Sequence, residues 1–98
     1  MDIIKTLNAN ALKIEIVGRL DTSTAPALDT EVKDIGEEIS DLVLDLRQLD
    51  YISSAGLRVV LAAQKKMNKQ GAMKVTNVNE DVMEIFEITG FSDILTIE

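Results

Sequence analysis

A chain of 98 residues with ten Lys and Arg against seventeen Asp and Glu has room for one packed domain. Its net charge of −7 argues against a nucleic-acid-binding surface. With neither cysteine nor histidine, disulfides and thiolate metal sites are excluded, and the usual metal ligand and general base at neutral pH are missing. No apolar run approaches the roughly 20 residues that span a membrane. The start, Met1-Asp2-Ile3-Ile4-Lys5, lacks the basic segment and long apolar stretch of a secretion signal. These features predict a soluble cytoplasmic single domain over residues 1–98, without membrane insertion and with a monomer favoured.

Ile3 to Leu7 is short and apolar, and Asn8-Ala9-Asn10 is a turn signal. Ala11 to Val17 alternates, with Leu12, Ile14 and Ile16 on one face and Lys13 and Glu15 on the other, so an antiparallel hairpin ending at Gly18 is predicted. Ser23 or Thr24 suits the N-cap of a following helix, with Pro26 in its first turn. Leu28, Val32, Ile35 and Ile39 continue that helix as one stripe, which Gly36 weakens near its end.

Leu42 to Leu46 is nearly all apolar, as in a parallel strand covered on both faces. Arg47 to Ile52 reads as a connection. A long helical pattern runs from Leu57 to Gln70, with Lys65, Lys66 and Lys69 in its last turns and Gly71 as C-cap. Ala72 to Val78 is another strand. Asn79 caps a helix carrying Val82, Ile85 and Phe86, which Gly90 closes and over which Phe91 can pack. Ile94 to Ile97 is a final short strand. The order β-β-α-β-α-β-α-β predicts an α/β two-layer domain: a mixed, mostly parallel sheet with helices packed on it.

The chain is organised around Asp50-Tyr51-Ile52-Ser53-Ser54-Ala55-Gly56-Leu57-Arg58, where a strand turns through hydroxyl residues into a helix. A hydrolase built on Ser53 or Ser54 lacks a base, and Ser54-Ala55-Gly56 does not fit a nucleophile elbow. The five scattered glycines form no nucleotide cradle. Asp21, Asp45 and Asp50 can meet at one end of the sheet, but their spacing matches no known cation cage, so neither metal nor cofactor is expected. Two uses of the serines remain. One is helix capping; the other is reversible phosphorylation, which adds about −1.5 to −2 charges and three acceptor oxygens.

Three segments carry a family resemblance: Gly18-Arg19-Leu20-Asp21, Leu44-Asp45-Leu46 and Tyr51-Ile52-Ser53-Ser54-Ala55-Gly56-Leu57-Arg58. Through them residues 1–98 resemble the STAS domain and, within it, the bacterial anti-sigma factor antagonists. The family pattern places the phosphate acceptor two residues before the glycine, which implies Ser54, with Ser53 as second choice. Ser53 stands where the family usually has aspartate. The resemblance implies a non-enzymatic partner switch. An anti-sigma factor with serine kinase activity binds the unphosphorylated domain and releases its sigma factor. Phosphorylation ends that contact, and a metal-dependent serine phosphatase restores it. ATP and magnesium then belong to the partners. The implied docking face comprises Asp21, Asp45, Asp50, Ser53, Gly56 and Arg58. Other STAS domains serve as accessory subunits of lipid-transport ABC complexes or as ligand-sensing modules, and these are the alternatives.

Overall fold

The computed structural model describes residues 1–98. The chain opens with β1 (Asp2–Asn8) and β2 (Ala11–Leu20), an antiparallel hairpin that sets Asn8 opposite Ala11 and Asp2 opposite Val17. Only Ala9 and Asn10 join them. Ala9 takes a φ of 53° to close so short a link, a left-handed conformation that costs a residue with a Cβ about 1–2 kcal/mol.

β2 does not stop at Gly18 as its pattern predicts. Gly18 has a φ of 100°, and the pairing register shifts between Gly18 and Arg19, so the strand passes through a bulge. Before the bulge β2 pairs in parallel with β3 (Asp41–Asp45). After it β2 pairs in parallel with β4 (Leu49–Ile52), in the segment predicted as a connection. The Gly18 N–H donates to the Gln48 carbonyl at 2.9 Å and ties the two stretches together. β5 (Ala72–Thr76) adds to the far side of β3, also parallel, giving the order β1-β2-β3-β5.

The helices are α1 (Ala25–Lys33), α2 (Ser54–Gln70) and α3 (Glu80–Thr89). α1 is shorter than its apolar stripe. It ends at Lys33, while Ile35 and Ile39 stay buried in the segment beyond. The carbonyls freed there are met from α2. Lys66 Nζ donates to the Val32 and Lys33 carbonyls at 2.9 and 3.0 Å, and Gln70 Nε2 donates to those of Gly36 and Ile39 at 2.8 and 2.7 Å. α3 follows its sequence signals. The Val82 N–H donates to Asn79 Oδ1 at 2.8 Å, Gly90 closes the helix with a φ of 80°, and Phe91 stacks on Phe86 with ring centroids 6.4 Å apart.

The predicted last strand is reduced to one bridge between Val75 and Ile97, after a 3₁₀ turn over Phe91–Asp93. It still covers the outer edge of β5: the Val75 N–H donates to the Thr96 carbonyl, and the Glu98 N–H to the Val75 carbonyl. The β-β-α-β-α-β-α-β fold therefore stands, with β4 added and its final strand shortened.

Ile14, Ile16 and Leu20 of β2, Leu42 and Leu44 of β3, and Met73 and Val75 of β5 enter one core of 23 residues. Leu28, Val60, Ala63, Met67 and Phe86 join it from the helices. The side chains between them on the strands, Lys13, Glu15, Val43 and Lys74, are half-buried or exposed. That second face of the sheet is polar, not the closed apolar face predicted for Leu42 to Leu46.

Candidate functional site

The site forms where β2 and β4 end side by side. The Ser53 N–H donates to the Leu20 carbonyl at 2.9 Å, so the last residue of β2 holds the first residue after β4. Ser53 is extended (φ −98°, ψ 175°), half-buried, and caps α2: its Oγ accepts from the Gly56 N–H at 3.4 Å, and its carbonyl accepts from the Leu57 N–H at 2.9 Å. Ser54 begins the helix and is exposed. The N–H groups of Ser54 and Ala55 lie in the first turn, where a helix offers them no acceptor and its dipole is positive.

Asp21 follows β2 directly and organises the entry to α1. Its Oδ1 accepts from the Ser23 hydroxyl at 2.7 Å, from the Ser23 N–H at 3.0 Å and from the Thr24 N–H at 3.2 Å. These bonds, the Ser23 hydroxyl first, hold its carboxyl below the usual range. The predicted N-cap position holds, but without a side-chain cap bond. Thr24 occupies the N-cap position, but its side chain caps nothing and instead donates to the Arg19 carbonyl at 2.8 Å.

Above β4 the Arg19 guanidinium lies 4.4 Å from the centre of the Tyr51 ring, with its Nε 3.9 Å from Asp21 Oδ2. The site thus includes an exposed cation and aromatic that sequence reasoning did not single out. The available signal was that Tyr51 is the only tyrosine and stands in the motif itself.

The other predicted site residues divide. Asp50 is exposed on β4. Arg58 is exposed one turn after Ser54 and lines a shallow groove of about 320 Å³ with Thr22, Pro26 and Asp29 of the α1 side and Val59 of α2. Gly56 is inside. A Cβ there would lie 2.7 Å from Leu20 Cγ and 2.9 Å from Ile52 Cγ1, so the glycine lets α2 approach the sheet and presents nothing to a partner.

Asp45 is also inside, only 2% exposed. It lies level with Glu15, whereas Ile52 lies level with Leu20. Five positions along a strand make about 17 Å, so Asp45 is far from the start of α2. Its carboxylate accepts from the Arg47 N–H and Asn77 Nδ2, each at 3.0 Å, and pairs with Lys13 Nζ at 3.3 Å. Asp45 and Gly56 are therefore structural residues and leave the predicted docking face. For the same reason Asp21, Asp45 and Asp50 do not converge, and no three acidic residues gather to hold a cation.

A two-layer domain in which a strand turns through Ser53 into a helix at Ser54 fits the fold that the sequence motifs imply. The STAS domain model matches residues 2–98, and the chain belongs to that family. It is 34% identical to the anti-sigma-B factor antagonist of Bacillus subtilis, covering 92% of this chain and 84% of that protein. Two solved structures share the fold. An anti-sigma factor antagonist from Mycobacterium paratuberculosis superposes with a TM-score of 0.88 at 21% identity, covering 98% of this chain and 83% of that one. The phosphorylated form of the Bacillus cell-fate determinant SpoIIAA superposes with a TM-score of 0.78 at 13% identity, covering 99% and 91%.

Proposed function

We propose that this protein is an anti-sigma factor antagonist that works by partner switching. Unphosphorylated, it docks on an anti-sigma factor with serine kinase activity and so frees a sigma factor. Phosphorylation at Ser54 ends the contact, and a metal-dependent serine phosphatase resets it. The chain acts as a substrate and a binding surface, and the nucleotide chemistry belongs to the kinase.

One observation carries the choice of acceptor. Ser53 is half-buried and turned to the Gly56 amide, whereas Ser54 is exposed on the first turn of α2. A phosphate on Ser54 meets the positive end of the helix and leaves the cap intact. The proposed docking face comprises Asp21, Asp50, the Ser53–Ser54 turn and Arg58, with the groove between α1 and α2 beside them. A dianion added there makes the surface markedly more negative without opening the core.

Incubation of wild type, Ser53→Ala and Ser54→Ala with the cognate anti-sigma factor kinase and ATP, followed by intact-mass measurement, tests the assignment. One added phosphate on wild type and on Ser53→Ala, and none on Ser54→Ala, is expected. Phosphate retained on Ser54→Ala overturns it. An unmodified wild type that binds a permease complex turns the reading toward a transport subunit.

A further inference from the structure

The two edges of the sheet are finished differently. The edge at β5 is covered by the C-terminal segment through Thr96 and Glu98. The edge at β1 is covered by nothing, since β1 is the end of the strand order and pairs only with β2. It is seven residues long, carries no proline and lies outside the bulge. Its one cation, Lys5, is drawn back to Glu31 of α1, with Nζ and Oε2 2.5 Å apart. Of the devices that usually protect a free edge, a proline, a bulge and a covering segment are missing, and the exposed charges Asp2 and Lys5 remain. Two large apolar side chains stand exposed along it, Ile4 at 48% and Leu7 at 65%, and Met1, just before it, is 37% exposed.

We propose that the β1 edge pairs, antiparallel and about a two-fold axis at Ile4, with the β1 edge of a second copy of this chain. The register follows from the hairpin. A two-residue link makes Asn8 and Ala11 a hydrogen-bonded pair. The backbone groups of Asn8, Thr6, Ile4 and Asp2 then turn toward β2, and those of Ile3, Lys5 and Leu7 turn outward. Outward groups must face outward groups, so the axis passes through one residue of β1.

An axis at Lys5 sets the two Lys5 side chains opposite each other, which like charge disfavours. An axis at Ile4 sets Ile4 opposite Ile4 and Met1 opposite Leu7. All three exposed apolar residues then find an apolar mate. Lys5 meets Ile3, and Asp2 meets Thr6. A second copy is the occupant because this self-matching register gives both exposed apolar side chains of the strand, and Met1 just before it, an apolar partner. A contact of one strand is small, so the pair is transient and forms at high concentration. Two chains of net charge −7 repel, so salt strengthens the pair by screening that repulsion.

The chain has no cysteine, so a single introduced thiol reports the register. Opposed residues in a non-hydrogen-bonded pair bring their Cβ atoms within disulfide reach. Ile4→Cys in the 98-residue chain is expected to form a disulfide-linked dimer under mild oxidation. Leu7→Cys is expected to stay monomeric, since the two thiols would stand six positions apart, about 20 Å. Sedimentation of the wild type should show a dimer fraction that rises with protein and salt concentration, and Ile4→Lys should remove it. Equal cross-linking of both cysteine variants overturns the proposal. So does a wild type that stays monomeric at millimolar concentration in high salt.

Discussion

Adjacent hydroxyls in one turn are held in different environments. Ser53 Oγ reaches the Gly56 amide at 3.4 Å, a long cap bond, while Ser54 is exposed at the helix start. A negative charge at Ser54 therefore meets unpaired N–H groups, the positive end of the dipole, and Arg58 four residues on, the favourable order for an acid and a base on a helix. Ser54→Asp is expected to leave thermal stability unchanged or raise it by about 0.3–1 kcal/mol, as read by denaturant unfolding, while weakening the proposed kinase contact. A loss of more than about 1 kcal/mol would mean that the turn does not tolerate charge. Motif spacing indicated both serines, and the folded geometry separates them because exposure depends on Leu20, which is 33 positions from Ser53 and receives its N–H bond.

At the scale of elements, close approach between α2 and its neighbours sets the fold. A Cβ on Gly71 would lie 1.9 Å from the Ser40 carbonyl oxygen, a backbone atom that the Ala72 N–H also uses. A Cβ on Gly56 would meet only side chains, Leu20 and Ile52. Gly56→Ala is expected to cost about 1–3 kcal/mol and Gly71→Ala more, because a backbone cannot rotate away as a side chain can. Urea unfolding of the two variants checks the order, and a reversed order would place the tight contact elsewhere.

Strong local signals were legible: the hairpin turn, the Asn79 cap, the Gly90 stop and the stripes of α2 and α3. β4 was not, since its four residues bury Leu49 and Ile52 but expose Asp50 and Tyr51, which shows no period of two. It becomes a strand only because the Gly18 bulge offers it β2. The end of α1 was hidden for a related reason. Ile35 and Ile39 keep a helical spacing and a buried place, yet Lys66 and Gln70 of α2 satisfy the chain in a non-helical path. Of the proposed site, the turn and the exposed position of Arg58 were legible. Asp45 and Gly56 were misplaced because a motif does not state which of its residues face inward.

For the molecule as a whole, Asp45 is the main internal charge that links strands. Burial raises its carboxyl, but hydrogen bonds from Asn77 and the Arg47 amide and the charge of Lys13 outweigh burial and hold it below its ordinary value of 3.8. A carboxyl depressed in the folded state contributes stability that is complete above the unfolded value and is lost as pH falls through the folded one. Stability should therefore decline below about pH 4. Asp45→Ala should lower stability by about 2–3 kcal/mol at neutral pH, by leaving buried polar partners unmet, and should flatten the acid decline. An acid profile with the same slope in wild type and variant would move the effect to other carboxylates.

The separation of cap from acceptor has a consequence in time. The serine that holds the turn together is not the one proposed to be modified, and the Ser54 charge adds to a helix end already able to receive it. No second packing of the core is then required for the two forms to differ. On the proposed function, the domain would behave as a written mark and not as a spring: its record would persist for as long as the phosphoester survives, and partner enzymes, not relaxation of the fold, would set the lifetime of the signal.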